Sequence, residues 1–308
     1  MDPTDLGSWA VPLAILGGAI RVSTPFLFVS LGECLTEKSG RINLGLEGTL
    51  VIGAVSGYAA AYHSGSAWIG VAAAGAAGAV MGAVHGWICK FPRVNDIAIG
   101  IALMLLGTGI AFFFGKPYIQ PVAPHLPAIE FGAWSASPQV QAALKVNVLF
   151  LVGAVLAVAL WWAFRNTRAG LLVRVAGDSA DAARALGADV NRIRLLATTA
   201  GGVLAGIGGS YLSLYYPGSW TEGVSSGQGL MAVALVIFAR WNPIACFGAA
   251  LLFGGAGALG PALQSVGMTK GYYLFYAAPY VLTLLIMILT SSRGRTLSGA
   301  PGELSITK

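Results

Sequence analysis

Carboxylates and an asparagine are concentrated in one glycine-rich stretch, residues 32–48, between two apolar runs. Asn43 and Glu47 are four residues apart, so they share one face if the stretch enters a helix. Glu47 lies about one turn inside the following apolar run. A carboxylate there is costly unless it meets a donor, a cavity or a helix N-terminus. We predict that Asn43 and Glu47 either line a polar path or brace the fold. Residues 37–41 are interpreted as an ordinary turn.

Three further polar residues lie at the start of an apolar run or within one. Asn95 and Asp96 open the fourth run, where either can cap a helix N-terminus, and a polar group facing a path is compatible with that role. Arg21 interrupts the first run, and a buried arginine usually faces the interior and finds a partner, so we predict a structural role. The three histidines and three cysteines are scattered without ligand or redox spacing. We therefore predict no catalytic residue, no metal site and no disulfide.

The segment 165–191 combines arginines with a short helical pattern. Asp178 is a plausible N-cap and Gly187 a plausible residue after the C-terminus, which predicts a helix over 179–186. Ala182, Ala183 and Leu186 would form one face of small residues. An isolated helix of about two turns is marginal in water, so it needs a surface on which to dock. A solvated loop explains the arginines, whereas insertion into a cleft of a partner explains the helix as well.

The amino-acid composition indicates that these residues belong to a membrane protein. The chain has 308 residues, of which 56% are hydrophobic and 10% charged, whereas soluble domains carry about 25% charged residues. We predict an all-α membrane protein that forms a single domain over 1–308. It would be a polytopic bundle of about nine transmembrane helices. The predicted spans are 10–34, 44–62, 67–89, 95–115, 146–164, 192–214, 226–240, 243–259 and 273–291. Little of the chain remains for an attached ATPase or other soluble enzyme.

The distribution of cations predicts the orientation. With the N-terminus outside and the C-terminus in the cytoplasm, fourteen of the eighteen Lys and Arg residues lie on the cytoplasmic side. The net charge of +6 is thereby explained without nucleic acid. The proline-rich outer loop, 116–145, is expected to form an ordered cap, and 165–191 becomes the main cytoplasmic loop. Similar glycine-rich stretches at 36–48 and 221–229 suggest inverted repeats of four spans each.

Four blocks resemble the membrane subunits of bacterial ABC importers of the ribose and nucleoside permease family. They are TEKSGRINLGLEGTLVIGA, VRVAGDSADAARALGADVNRIR with LAGIGGSYLSL, GQGLMAVALVIFARWNPIACFGAALLFG, and APYVLTLLIMIL. The G-x-x-N-x-G-x-E-G stretch beginning at Gly40 is closest to the nucleoside or simple-sugar branch. Asp96 and Met104 depart from the amide residues expected in a nucleoside permease, so the resemblance does not identify the solute.

The resemblance implies a bacterial inner-membrane transport subunit that switches by alternating access and performs no chemistry. Its implied partners are a cytoplasmic ABC ATPase, a second permease subunit that is paralogous or identical, an extracytoplasmic substrate-binding protein and the lipid bilayer. ATP and Mg would be bound by the ATPase, with no cofactor in this chain. The short helix would be the coupling helix seated in the ATPase. The implied coupling residues are Arg174, Gly177, Asp178, Ala182, Ala183, Leu186 and Gly187.

Alternative functions remain open at this point. Nucleosides or nucleobases are the first solute class, with pentoses or other simple sugars second. An ion-coupled secondary transporter or channel would need ionisable groups near the middle of the membrane, where Arg21, Glu47 and Asp96 are the candidates. An integral membrane enzyme would need a catalytic cluster that the sequence does not suggest.

Overall fold

The computed structural model describes residues 10–265, 275, 277–290 and 299–305, and most of them are helical. The first helices, α1 to α5, are Ala10–Lys38, Leu46–Ser64, Ala67–Ile88, Asp96–Gly115 and Pro138–Ala143. They are followed by α6 to α9, Val148–Asn166, Arg168–Asp178, Ala180–Ala185 and Val190–Leu214. The last are α10 to α13, Gln228–Phe238, Pro243–Ser265, Ala278–Thr290 and Gly302–Ser305.

The outer loop is ordered, as its prolines and aromatic residues predict. Within it, strand β1, Ala128–Glu130, pairs antiparallel with strand β2, Lys145–Asn147, and Ala128 lies opposite Asn147. Helix α5 lies between the two strands in sequence. The expectation of an all-α chain is therefore wrong for this loop, where two short strands pair locally and close the cap.

Six helices are long and apolar enough to cross a membrane among the described residues, counted by length and composition. They correspond to α1, α3, α4, α6, α9 and α11. Helix α10 has 11 residues, about 16 Å at 1.5 Å per residue, and the hydrocarbon core is about 30 Å thick. The expected span at 226–240 is thus a short helix preceded by a turn. The total of about nine spans stays a prediction, and part of the ninth span lies outside the described residues.

Helices α1 and α9 form the centre of the bundle. Helix α1 packs mainly against α11 and α9, whereas α9 packs mainly against α3, α2 and α1. The two principal apolar clusters lie along these contacts. Each central helix thus contacts the other and also a helix from the opposite part of the chain.

Glycines permit the closest helix contacts. A Cβ atom on Gly53 of α2 would lie only 2.6 Å from the Cα atom of Gly206 in α9, closer than real Cβ contacts. In lipid there is little hydrophobic force between helices, so close packing of small residues supplies much of the association. The glycine-rich run at 201–209 serves this packing, as its position inside an apolar run suggests.

We expect Gly53→Ala to lower the midpoint of thermal unfolding in detergent. Its methyl group must displace backbone, and overpacking of this kind costs about 1–3 kcal/mol. Gly109→Ala is the matched control, because a Cβ atom at exposed Gly109 meets no atom within 4 Å. Equal midpoints for the two variants would contradict the packing role of Gly53.

Candidate functional site

Glu47 is buried where two helices begin. It lies in the first turn of α2 with 9% of its surface exposed. Its Oε1 accepts hydrogen bonds from Ser225 Oγ at 2.6 Å and from the Gly227 N–H at 3.1 Å, and its Oε2 accepts from the Gly229 N–H at 2.6 Å. Gly227 and Gly229 are at the start of α10. The carboxylate therefore faces the positive ends of two helix dipoles, which compensates its burial.

The turn before Glu47 folds back onto α1. The Asn43 N–H donates to Glu33 Oε1 at 2.8 Å, and Asn43 Oδ1 accepts from the Gly45 N–H at 2.9 Å. Asn43 is 1% exposed and Glu33 is fully buried. Asn43 thus shapes the turn that delivers Glu47 to α10.

The predicted turn at 37–41 is confirmed for residues 39–41 and is wrong for residues 37 and 38. Residues 37 and 38 form the last turn of α1, and the Glu37 carboxylate, 2% exposed, accepts from Trp241 Nε1. Arg41 pairs with Asp96, with 2.7 Å between Nη1 and Oδ1. The sequence pattern does not indicate either partner, because Trp241 and Asp96 are distant from Glu37 and Arg41 along the chain.

Asn95 caps α4, as predicted. Its Oδ1 accepts from the Ile97 N–H at 2.9 Å and the Ala98 N–H at 3.1 Å. The pair of Asp96 with Arg41 joins the start of α4 to the turn after α1. Asn43, Glu47, Asn95 and Asp96 all have partners within the chain, and their contact with a solute stays a prediction.

Arg21 lies beside a cavity at the end of the bundle that carries the outer loop. The cavity measures about 400 Å³ and is also lined by Gln139 and Tyr216. Arg21 Nε donates to the Gly17 carbonyl at 3.1 Å, and the guanidinium lies 6.0 Å from the centroid of the Tyr216 ring. Its position is held by backbone and by an aromatic ring, in keeping with a structural role.

The short helix predicted at 179–186 is α8, Ala180–Ala185. Its cap is Ser179, whose Oγ accepts from the Ala182 N–H at 3.2 Å, and the expected cap Asp178 instead ends α7. Gly187 follows with a φ of +78°, the left-handed conformation expected after a helix C-terminus. The helix is one residue shorter at each end than predicted.

The orientation of α8 corrects the predicted docking face. Ala183 is fully buried against α7 and the start of α9, whereas Ala182 is exposed and Leu186 is 71% exposed. Ala182 and Ala183 therefore face different sides, and they cannot form one face together with Leu186. The chain itself provides the docking surface for the Ala183 side, and Leu186 points away from it.

Residues 299–305 hold α8 in place; we call this segment the C-terminal strap. Glu303 Oε1 accepts from the Ala180 N–H at 2.9 Å, and Glu303 Oε2 lies 3.1 Å from Arg194 Nη2. Arg194 also donates to the carbonyls of Ser39 at 3.0 Å and Ala176 at 3.1 Å. One arginine thus joins the end of α1, α7, α9 and the strap.

The remaining predicted coupling residues lie beside these contacts. Gly177 packs so closely on the Lys38 carbonyl that a side chain would collide with it. Arg174 is partly buried, and its Nε has no hydrogen-bond partner in the described part of the chain. Arg194 and Glu303 were not singled out from sequence, because Arg194 counted as one topology cation among many and Glu303 is more than 100 residues away.

We expect Glu47→Gln to lower the free energy of unfolding by about 1–3 kcal/mol. The amide has one acceptor oxygen, so its NH₂ group must face N–H or O–H donors. Glu130→Gln is the control, since that carboxylate is 65% exposed beside Lys145. The measurement is denaturant or thermal unfolding, with uptake recorded per folded molecule. An unchanged stability would contradict the bracing role, and a loss of uptake beyond the loss of folded protein would favour the path.

We also expect the strap to release at low pH. Burial raises the pKa of Glu303, but the Ala180 N–H and the Arg194 guanidinium outweigh it, so the pKa lies below its ordinary value. The strap is therefore fully stabilised above the ordinary carboxyl range and loses this contribution as pH falls through the folded pKa. Hydrogen exchange at the Ala180 amide, corrected for its intrinsic rate, measures this. Glu303→Gln should remove the pH dependence, and its persistence in that variant would assign it to another group.

Known proteins with similar sequences cover most of the chain. Residues 15–291 match the family described as "Branched-chain amino acid transport system / permease component". A putative glucose ABC transporter permease of Haloferax volcanii is 34% identical over 259 residues, 82% of this chain and 79% of the relative. A guanosine ABC transporter permease of Bacillus subtilis is 28% identical over 305 residues, 93% of each chain. A nucleoside ABC transporter permease of Lactococcus lactis is 27% identical over 292 residues, 89% of this chain and 91% of the relative.

These matches confirm the resemblance seen in the four sequence blocks. The chain belongs to the family of branched-chain amino acid transport system permease components, and it is a multi-pass membrane transport subunit, not an enzyme.

Proposed function

We propose that this chain is the permease subunit of an ATP-driven importer for nucleosides or nucleobases. The observation that carries the proposal is α8, held on its own chain through Ala183 and Glu303 while Leu186 remains 71% exposed. A large apolar side chain at the tip of a braced helix suits a groove on a soluble partner. The partner in this proposal is a cytoplasmic ABC ATPase that binds ATP and Mg.

The packing supports a mechanism of alternating access. We propose that α1–α4 and α9–α12 are inverted repeats, since the contact of α1 with α11 parallels that of α9 with α3. The two corresponding glycine-rich stretches meet where Glu47 binds the start of α10. Such repeats can rock against each other around a central site. ATP drives the switch only if the two states bind the ATPase differently, and α8 would transmit that difference.

The relatives favour nucleosides as solute and keep sugars as the second candidate. The alignments with permeases named for guanosine and nucleosides cover 93% and 89% of this chain. The alignment with the putative glucose permease covers 82% of this chain, at higher sequence identity. The cavity at Arg21 offers donors to an uncharged polar solute of either class. We place its mouth on the extracytoplasmic side, where a substrate-binding protein would dock on the outer loop.

The remaining assembly follows from the same proposal. A second permease subunit, paralogous or identical, would complete the path, and the N-terminus would lie outside with the C-terminus in the cytoplasm. Asn43, Glu47, Asn95 and Asp96 would brace the region that moves. An ion-coupled transporter would need none of these partners.

Reconstitution with the ATPase and the binding protein tests the proposal. We expect Leu186→Asp to reduce ATP-driven uptake at least about fivefold, because the loss of one central apolar contact worth about 1 kcal/mol corresponds to that factor. We also expect it to weaken co-purification of the ATPase. Arg192→Gln, an exposed change at the same end of the bundle, should have little effect. The importer assignment would be wrong if the chain alone took up solute along an ion gradient and Leu186→Asp had no effect on that uptake. Such a result would favour secondary transport.

A further inference from the structure

A second cavity lies at the end of the bundle that carries α8. It measures about 210 Å³ and lies where α1 and α6 end and α11 begins. Four cations line it: Lys38, Arg165, Arg174 and Arg240. At about 30 Å³ per water molecule the space equals roughly seven waters. This size suits a phosphate that carries a small alcohol.

The positive charge of this basic cavity is not balanced by ion pairs within the described residues. The ion pairs among the described residues involve none of the four. Arg174 Nε is buried without a hydrogen-bond partner within the same described ranges. The neighbouring Glu37 carboxylate is 2% exposed and already accepts from Trp241 Nε1. Four like charges that converge without compensation favour an anionic ligand.

The backbone is adapted to hold two lining residues. Arg240 and Trp241 both have left-handed conformations, with φ of +51° and +53°. Such a conformation is uncommon for residues other than glycine and costs free energy. Both residues line the cavity, where Arg240 is exposed and Trp241 is buried.

A shallow apolar surface of α6, which we call the groove, adjoins the basic cavity. It is lined by residues of α6, including Val155, Val158 and Ala159, and it shares Trp161 with the cavity. Val155 and Val158 are 67% and 55% exposed, on a helix long and apolar enough to span the membrane. The Arg165 guanidinium lies 4.5 Å from the centroid of the Trp161 ring. The groove thus leads from the cations along an exposed apolar side of α6.

We propose that the basic cavity and the groove together form a binding site for one anionic phospholipid. The phosphate headgroup occupies the cavity among the four cations, and an acyl chain lies in the groove along α6. Basic pockets between transmembrane helices are known to take anionic headgroups. A free phosphate or a nucleotide would bind the cations and leave the groove empty. Occupation of the groove therefore distinguishes a phospholipid from a soluble anion.

Native mass spectrometry of the purified full-length chain tests the site. Phosphatidylglycerol, phosphatidylcholine and inorganic phosphate are titrated separately. We expect tighter binding of phosphatidylglycerol than of phosphatidylcholine. Arg165→Gln and Arg240→Gln should each weaken it about fivefold, which corresponds to about 1 kcal/mol per interfacial cation. Both side chains are exposed, so these variants should fold. Ala159→Phe should fill the groove and weaken the same lipid without affecting the cations.

Lys90→Gln is the matched control. Lys90 is an exposed cation that stacks on Trp87 at 5.3 Å, outside the cavity. If Lys90→Gln weakened phosphatidylglycerol as much as Arg165→Gln, general surface attraction would replace the proposed site. If inorganic phosphate bound as tightly as the lipid and Ala159→Phe had no effect, the cavity would be a site for soluble anions and the lipid assignment would be wrong.

Discussion

The carboxylate of Glu47 between two helix N-termini is the constraint on which much of the bundle depends. A charge inside an apolar chain persists only if donors replace water, and here three donors from one segment do so. This requirement fixes α10 against α2 and explains why α10 begins inside the protein and is short. The same junction joins the two glycine-rich stretches of the chain, so a movement between the two halves would have to pass through it.

A second polar junction organises the α8 end. Arg194 donates hydrogen bonds to backbone carbonyls at the end of α1 and in α7, and to the Glu303 carboxylate. Glu303 in turn accepts from the first N–H of α8. A helix of six residues is not stable by itself in water. Its order comes from Ala183 packed on the chain and from the strap. Two side chains, Glu303 and Arg194, therefore connect α8 to the end of α1.

Local chemistry made several features predictable. The cap of α4 by Asn95 and the left-handed Gly187 follow from residue type at a helix end, because such interactions join neighbours in sequence. The need of Glu47 for a donor, a cavity or a helix N-terminus was also foreseeable, since desolvation is a property of the residue. Its donors were not, because they lie about 180 residues away. The inward side of Ala183 was missed for a related reason: in so short a helix, periodicity does not decide between the chain and a partner.

Sequence by itself determined a helical membrane protein of the permease family, since composition and four motif blocks extend over most of the chain. Only the tertiary structure decided which charges are paired. It placed Arg41 on Asp96, Arg194 on Glu303 and Trp241 on Glu37, and it left four cations together in one cavity. The physical reason is that transfer from water depends on each residue alone, whereas compensation of a buried charge depends on which distant segment the fold brings within about 3 Å.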